Sequence, residues 1–360
     1  MQSGIRTRFV DNGKGLSMHV LEAGDADRPC VLLLHGFPEL AYSWRKVMPA
    51  LAAAGLYVVA PDQRGYGRTA GLDAGWDASY DGDVDSFRLS NLVRDALGLV
   101  QALGRRSVAA VVGHDFGSPV AAYCALSRPD VFRSVVLMSA PFASVPAPDI
   151  GAALAALPRP RKHYQWYYST REANEDMWHC PQGVHAFLRA YFYTKSADWP
   201  GNRPYRLASW SAAELAKMPT YYIMDLAKNM AETVAAEMPS AAEIAACRWL
   251  TEDELAVYSA EYARTGFQGG LQWYRCRTEG RNKDLETFAG KTIDVPSAFI
   301  AGASDWGIYQ VPGAFEAMQA SVCTDMRGCH LVEGAGHWVQ QEKPDEVIRL
   351  LLEFLARVTG

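Results

Sequence analysis

The sequence predicts an α/β fold, a mostly parallel sheet flanked by helices and split by an inserted helical cap, and three observations carry that prediction. Short apolar runs rich in β-branched residues alternate with helical patterns toward both ends of the chain. Residues 141–290, between them, are helical in pattern, aromatic and interrupted by proline, with no strong strand run. At 360 residues the chain is long for one compact domain but fits a single α/β core carrying a large insertion.

The elements follow in chain order. The apolar runs Val31–Leu34, Leu56–Ala60, Ser107–Val112 and Val135–Ser139 read as strands, and their alternation with helical stretches argues for parallel pairing with helices on both faces. Phe116–Ser127 reads as a helix, stopped at Arg128-Pro129 because the residue before a proline is pushed out of α geometry. Ala140-Pro141 ends the fourth strand and opens the cap. Strand and helix resume with Ser297–Ala301, a helical stretch near Gly313–Ala320, a short strand at Cys329–Val332 and an amphipathic helix from Pro344 to Arg357. The predicted core is therefore discontinuous, 1–140 and 291–360, with 141–290 as the cap. Within the cap, alanine-heavy Ala235–Ala246 reads as plain helix.

Composition removes several function classes. Apolar residues make up 49% and charged residues 21%, the balance of a globular enzyme. A net charge of −5 with no Lys/Arg run gives no phosphate-tracking surface, so nucleic acid is not an expected partner. The seven cysteines (Cys30, Cys124, Cys180, Cys247, Cys276, Cys323, Cys329) are odd in number, scattered and never at CxxC spacing. That pattern suggests neither a disulfide framework nor a zinc site, but buried thiols in a reducing cytoplasm. The start of the chain shows no export signal, and no stretch of about 18 apolar residues suggests a membrane span. Neither metal nor cofactor is expected, and the chain is expected to act as a monomer or homodimer.

The sharpest motif is Gly113-His114-Asp115-Phe116-Gly117, which follows a strand and opens a helix. It has the form of a nucleophile elbow, with Asp where an esterase would carry serine. Flanking glycines allow the strained turn that pushes one side chain into a cleft, and a helix N-terminus favours negative charge there. Asp is also a favoured helix N-cap, so the pentapeptide alone leaves capping open. His337, in Gly334-Ala335-Gly336-His337-Trp338, lies after the last predicted strand and completes the chain order nucleophile, acid, histidine. Asp305 stands just past the end of Ser297–Ala301, where a carboxylate can orient His337 from behind. The alternative acid position, after Ser139, offers only Ala140 and Pro141.

His35-Gly36-Phe37-Pro38-Glu39 follows the first apolar run, and this loop is expected to set the backbone N–H of Phe37 beside that of Phe116 as an oxyanion hole. Tight functional turns are where cis prolines occur, which leaves Phe37-Pro38 open to either isomer. Asp62–Arg68, punctuated by glycines, reads as a structural brace for the neighbouring loops.

These segments, in this order and with a cap at this place, resemble the α/β-hydrolase superfamily and specifically the soluble-type epoxide hydrolases, from about Ile5 to Ala356. Two cap segments sharpen the resemblance: His163-Tyr164-Gln165-Trp166-Tyr167 and Gly270-Leu271-Gln272-Trp273-Tyr274-Arg275 look like the two places where that family carries lid tyrosines. The resemblance assigns the pair to Tyr164 and Tyr274, with Tyr167 and Tyr168 open as alternatives for the first. It implies that Asp115 attacks an epoxide carbon to form an ester, that the tyrosines serve the leaving oxygen, and that His337 then activates water. His35, Pro38, Trp166, Trp273 and Trp338, which flank these segments, are expected to line the pocket of a hydrophobic epoxide.

Haloalkane and haloacetate dehalogenases share the Asp-His-Asp core and are the nearest alternative. They often carry tryptophan after the nucleophile, or arginines for a carboxylate, where this chain has Phe116 and Gly117-Ser118. Trp166, Trp178, Trp199, Trp210, Trp249 and Trp273 keep a halide ligand in play. A non-catalytic binding protein on the same fold would not need an intact triad, and an esterase would need serine in the elbow.

Overall fold

The computed structural model describes residues 4–73, 76–142 and 148–359. Its strands in chain order are β1 (Ile5–Asp11), β2 (Leu16–Ala23), β3 (Cys30–Leu34), β4 (Tyr57–Pro61), β5 (Ala70–Gly71), β6 (Ala110–His114), β7 (Val135–Met138), β8 (Arg161–His163), β9 (Ile223–Asp225), β10 (Ser297–Gly302) and β11 (Met326–Val332). The main sheet runs β1-β2-β4-β3-β6-β7-β10-β11, with β5 paired to β2. From β4 to β11 every neighbouring pair is parallel, whereas β2 runs antiparallel to both β1 and β4.

The central strands β3, β4 and β6 are buried at every residue, as a sheet covered on both faces requires. Alternate residues feed two separate cores. Leu32, Val59, Val111 and Leu137 pack on one face, and Val31, Val58, Val112 and Val136 on the other. The second core is closed by the C-terminal helix Pro344–Thr359, which lays Val347, Leu350, Leu351, Phe354 and Leu355 on the sheet. Their spacing is that of one helical face, and each such buried side chain contributes about 1.5–3 kcal/mol.

The hairpin β1–β2 adds two strands to those read from the sequence. β1 lies at the sheet edge and exposes most of its residues, so Ile5–Asp11 lacks an apolar run. The Asn12-Gly13 turn that joins it to β2 is nevertheless a hairpin signature, with Gly13 at φ 62° and the Asn12 side chain accepting from the backbone of Lys14 and Leu16.

Between β7 and β10 the chain leaves the sheet and runs mainly through helices, among them Tyr164–Tyr168, Gly183–Lys195, Glu252–Thr265 and Gln268–Thr278. Residues 143–147, near the expected start of the cap, lie outside the described residues. Two details correct the sequence reading. The region contains a two-stranded antiparallel sheet, β8 with β9, too short to register as a strand pattern. The alanine-rich stretch is two helices, Met230–Ala235 and Ala241–Ala246, because Pro239 breaks the first and Ser240 caps the second through a reciprocal bond with Glu243. Among the described residues no helix is long and apolar enough to cross a membrane.

Candidate active site

The carboxyl ends of β3, β6, β10 and β11 converge beneath the helices that follow β7. At the end of β6 the chain turns through Asp115, whose φ of 51° lies in the left-handed region that costs a non-glycine residue about 1–3 kcal/mol. The turn closes only because its flanks are glycine: a Cβ on Gly113 would run into the Gly117 carbonyl, and one on Gly117 into the Leu34 carbonyl. The helix Gly117–Ser127 that follows has Phe116 at its N-cap position and no side-chain cap, so the carboxylate of Asp115 is not spent on capping. Its Oδ1 accepts the backbone N–H of Phe37 at 2.9 Å, and its Oδ2 lies 3.2 Å from Nε2 of His337.

His337 is 1% exposed and held from behind by Asp305, whose two carboxylate oxygens lie 3.0 and 3.1 Å from Nδ1. Asp305 itself accepts the N–H of Gly307 at 2.7 Å. Nε2 of His337, poorly aligned with Asp115, has no hydrogen-bond partner, a looseness common in unliganded sites. Burial works against both ionised partners, and their proximity wins. His337, with Lys195 and His114, holds the Asp115 carboxyl well below the usual carboxylate range. Burial likewise opposes charge on His337, yet Asp305, assisted by the contact with Asp115, raises it to about 9 against the opposing charge of Lys195. The resting pair is carboxylate and imidazolium.

The loop after β3 is fixed by buried Glu39, which accepts from Gly36 N–H, His114 Nδ1, and the side-chain amides of Gln340 and Gln341. The other ring nitrogen of His114 reaches the carbonyl of His337 at 2.7 Å, so the elbow, the loop after β3 and the histidine loop share one buried network. Phe37-Pro38 is cis. The brace expected at Asp62–Arg68 takes the form of Asp62 accepting from Ala41 and Arg68 N–H, and of Arg64 paired with Asp95 through two hydrogen bonds.

Above this floor stand the tyrosines. The ring centres of Tyr164 and Tyr274 are 5.9 Å apart, and Tyr274 meets Phe37 and Phe116 edge-on at 5.6 and 5.1 Å. The Tyr164 hydroxyl donates to Gln310 and accepts from Gln165. The Tyr274 hydroxyl has no hydrogen-bond partner among the described residues. Burial first, then the negative charge of Asp115, raises both phenols above the ordinary tyrosine value, so both remain protonated donors at neutral pH. Of the alternatives for the first position, Tyr167 is turned to Asp176 and Tyr168 donates to Tyr191.

The five residues expected to line the pocket are placed differently. His35 is fully buried beneath its loop, with Nδ1 against the Gly36 carbonyl and Nε2 accepting from Gln63 N–H, which leaves no ring nitrogen for a substrate. Trp273 and Trp338 spend their indole N–H groups on the carbonyls of Arg64 and Phe192, and their rings brace Phe116 and His337 from outside. Trp166 is half-buried against His163. Pro38 is buried in the cis turn. Sequence reasoning passed over Gln310 and Lys195, and it also missed Glu342, whose half-buried carboxyl accepts from the N–H groups of Ala197, Gly336 and Trp338 and ties the His337 loop to the chain beyond β7. None of these lies in a motif with characteristic spacing.

Comparison with known proteins places this arrangement among relatives. The family model described as the alpha/beta hydrolase fold matches residues 29–344. Epoxide hydrolase A of Mycobacterium tuberculosis is 34% identical over 359 residues, covering 97% of this chain and 96% of the relative. An epoxide hydrolase of Caballeronia sordidicola is 31% identical, covering 96% of this chain and 92% of its own. Among solved structures, an epoxide hydrolase from an endophytic Streptomyces aligns with a TM-score of 0.78 at 34% identity, over 99% of this chain and 96% of that one. Potato (Solanum tuberosum) epoxide hydrolase I aligns with a TM-score of 0.76 at 29% identity, over 98% and 99%.

Proposed function

The chain belongs to the α/β-hydrolase-fold family and, within it, to the epoxide hydrolases, and from that premise we propose that Asp115 opens a hydrophobic epoxide to a vicinal diol through a covalent ester. The observation that carries this reading is a buried carboxylate, held by the Phe37 N–H and beside His337, with two phenols near enough for its charge to act on them, Tyr274 packing edge-on against Phe37 and Phe116 and Tyr164 against Tyr274. A carboxylate needs no base to attack a ring carbon. As the C–O bond breaks, the alkoxide is far more basic than a phenolate, so Tyr164 and Tyr274 can stabilise and protonate it.

Attack turns the Asp115 carboxylate into a neutral ester. His337 then loses one of the two anions that held its proton, and the proton it releases balances the one the alkoxide takes up. Neutral Nε2 can remove a proton from water as the water oxygen bonds to the ester carbonyl carbon. The N–H of Phe37, already on Oδ1, and that of Phe116 are assigned to the tetrahedral oxyanion, each such donor being worth about 10²–10³ in rate. As the acyl–oxygen bond breaks, the departing oxygen takes the proton that His337 drew from water and the diol is released; the Asp115 carboxylic acid then gives its own proton to the neutral His337, which restores the resting carboxylate and imidazolium.

Dehalogenation uses the same floor but requires N–H donors for a halide. Of the six tryptophans in question, Trp178, Trp199, Trp249 and Trp273 give their indole N–H groups to protein oxygens, which removes four of the six candidate halide donors. The aromatic surroundings of Tyr274 suit an apolar substituent next to the ring. In His337→Gln the ester is expected to accumulate, and intact-protein mass separates the two readings: an epoxide adds its whole mass, whereas a haloalkane adds its mass less the hydrogen halide. No adduct with a panel of epoxides, together with a haloalkane adduct, would reject epoxide opening.

A further inference from the structure

One buried charge has no part in that scheme. Lys195 closes the helix Gly183–Lys195 and is 3% exposed. Its ammonium lies 4.7 Å from the ring centre of Tyr222, 5.1 Å from Tyr191, 5.7 Å from Tyr164 and from Tyr221, and 5.9 Å from Trp338. Among the described residues no oxygen accepts a hydrogen bond from it. A lysine in the last turn of a helix is ordinarily a solvated complement to the helix dipole. This one is enclosed by ring faces, where cation–π attraction of about 0.5–2 kcal/mol per ring replaces hydration.

Lys195 is also fixed to the histidine. Its backbone carbonyl accepts the N–H of His337 at 2.8 Å. At Gly336 a Cβ would lie within 2.6 Å of the backbone of Lys195 and Ala197, so the two loops meet backbone to backbone. One ring of the cage, Trp338, packs against the His337 imidazole with centres 4.7 Å apart, and another, Tyr164, is the assigned lid tyrosine. The ionisable groups that act on the lysine are Asp115 at the elbow, Asp305 after β10 and Glu39 after β3. Burial lowers its pKa and these three carboxylates oppose the fall. The phenols of Tyr164, Tyr191, Tyr221 and Tyr222, all raised by burial, are neutral around it.

We propose that Lys195 is a positioning residue for the second half of the reaction: its caged cation forces the proton off His337 once Asp115 has become an ester, converting an imidazolium into the base that activates water. In the resting site His337 lies between two carboxylates and keeps its proton. Esterification removes the charge on Asp115 and leaves the imidazolium with Asp305 behind it and, acting against its charge, an ammonium that donates no hydrogen bond to a carboxylate among the described residues. Like charges in a dry site repel over several ångströms. The proton leaving Nε2 reaches the alkoxide by way of the lid tyrosines, and no outside acid is needed. The cage lets this happen because an acceptor on the ammonium would have neutralised the field that the step uses.

The inference rests on Asp115 being the nucleophile, and the experiment separates the two. Single-turnover kinetics with styrene oxide, followed by quenching and intact mass, give the rates of ester formation and decay from pH 5 to 9. Lys195→Met is expected to change ester formation little and to slow ester decay about tenfold at pH 7, moving its acid limb up by about one pH unit. Lys195→Arg should recover most of that shift. Decay in Lys195→Met with the pH profile of the parent overturns the role of Lys195 while leaving the ester intact; absence of any ester in the parent overturns both readings. The state of the lysine is testable without a variant, because five rings shift the resonance of its ¹³Cε-labelled side chain. An ammonium signal persisting through pH 8 is expected, and a neutral amine at pH 7 overturns the proposal even where the Met variant fails to fold.

Discussion

The floor of the site and its roof are made of different materials. On the floor every carboxyl group is held by several fixed partners: Asp305 by His337 and Gly307, Asp115 by Phe37 and His337, Glu39 by four donors, and Glu342 by three backbone N–H groups. On the roof Tyr164, Tyr168, Tyr222 and Tyr274 meet one another mainly through ring edges, and the hydroxyl of Tyr274 has no partner among the described residues. Fixed dipoles and charges cost no reorganisation when a bond forms, which suits the groups that make and break the ester. Rings with spare hydroxyls adapt to a substrate and donate when an oxygen arrives. Changes to the floor should therefore abolish steps, and changes to the roof should slow one of them.

The largest effect expected is at Asp115. Asp115→Asn preserves the shape of the elbow and removes the proposed nucleophile, so turnover of an epoxide should fall by about 10⁴-fold or more, with no mass adduct at any time. If Asp115→Asn kept more activity than Tyr274→Phe, the division between floor and roof would fail.

That division also explains how far the sequence could be read. Asp115 and Asp305 each follow a buried apolar strand and His337 follows the half-exposed β11, and strand ends bounded by glycines are visible as changes in residue pattern. β1 went unread because an exposed edge strand has no apolar run, β2 because Ser17, His19 and Glu22 interrupt its apolar residues although it is buried within the sheet, and β8–β9 because three residues cannot show a period. Tyr164 and Tyr274 were assigned through family resemblance alone, since nothing in a helix sequence says which of its rings will face a cleft. Lys195 and Glu342 had no local signal at all. A lysine at a helix end and a glutamate before the last helix read as solvated surface, and their burial arises only when the loop of His337 folds against the chain after Gly183–Lys195. What flanking a motif in sequence does not reveal is the direction of a polar ring edge: those of His35, Trp273 and Trp338 meet backbone carbonyls and N–H groups.

Smaller effects are expected from the roof. Tyr274→Phe should slow ester formation by about 10²-fold, and Tyr164→Phe by less, because the Tyr164 hydroxyl is shared with Gln310 and Gln165 while that of Tyr274 is uncommitted. Ester decay should change little in either variant. Rapid-quench measurement of the two half-reactions is the check. A matching loss in ester decay would mean that the tyrosines also organise the floor.

The smallest effect is on stability, and its sign separates the two walls again. His337 has a folded pKa raised to about 9 from an unfolded value near 6.5. Its contribution is therefore complete below about pH 6.5 and is lost as pH rises through 9. Asp115, depressed in the folded state, contributes above its unfolded value of about 4 and loses that contribution only as pH falls through its low folded value. The pair therefore supports the fold most fully between about pH 4 and 6.5, and its loss toward pH 9 should amount to a few kcal/mol at most. Urea midpoints measured from pH 6 to 9.5 should fall with rising pH in the parent and fall less in Asp115→Asn, where His337 has lost one of the groups that hold its proton. Tyr274→Phe should run parallel to the parent over the same range, because a phenol pushed above its ordinary value does not titrate there. Parallel curves for parent and Asp115→Asn would mean that the 3.2 Å approach of Asp115 to His337 contributes nothing to the fold, and that the floor is organised for catalysis at no gain in stability.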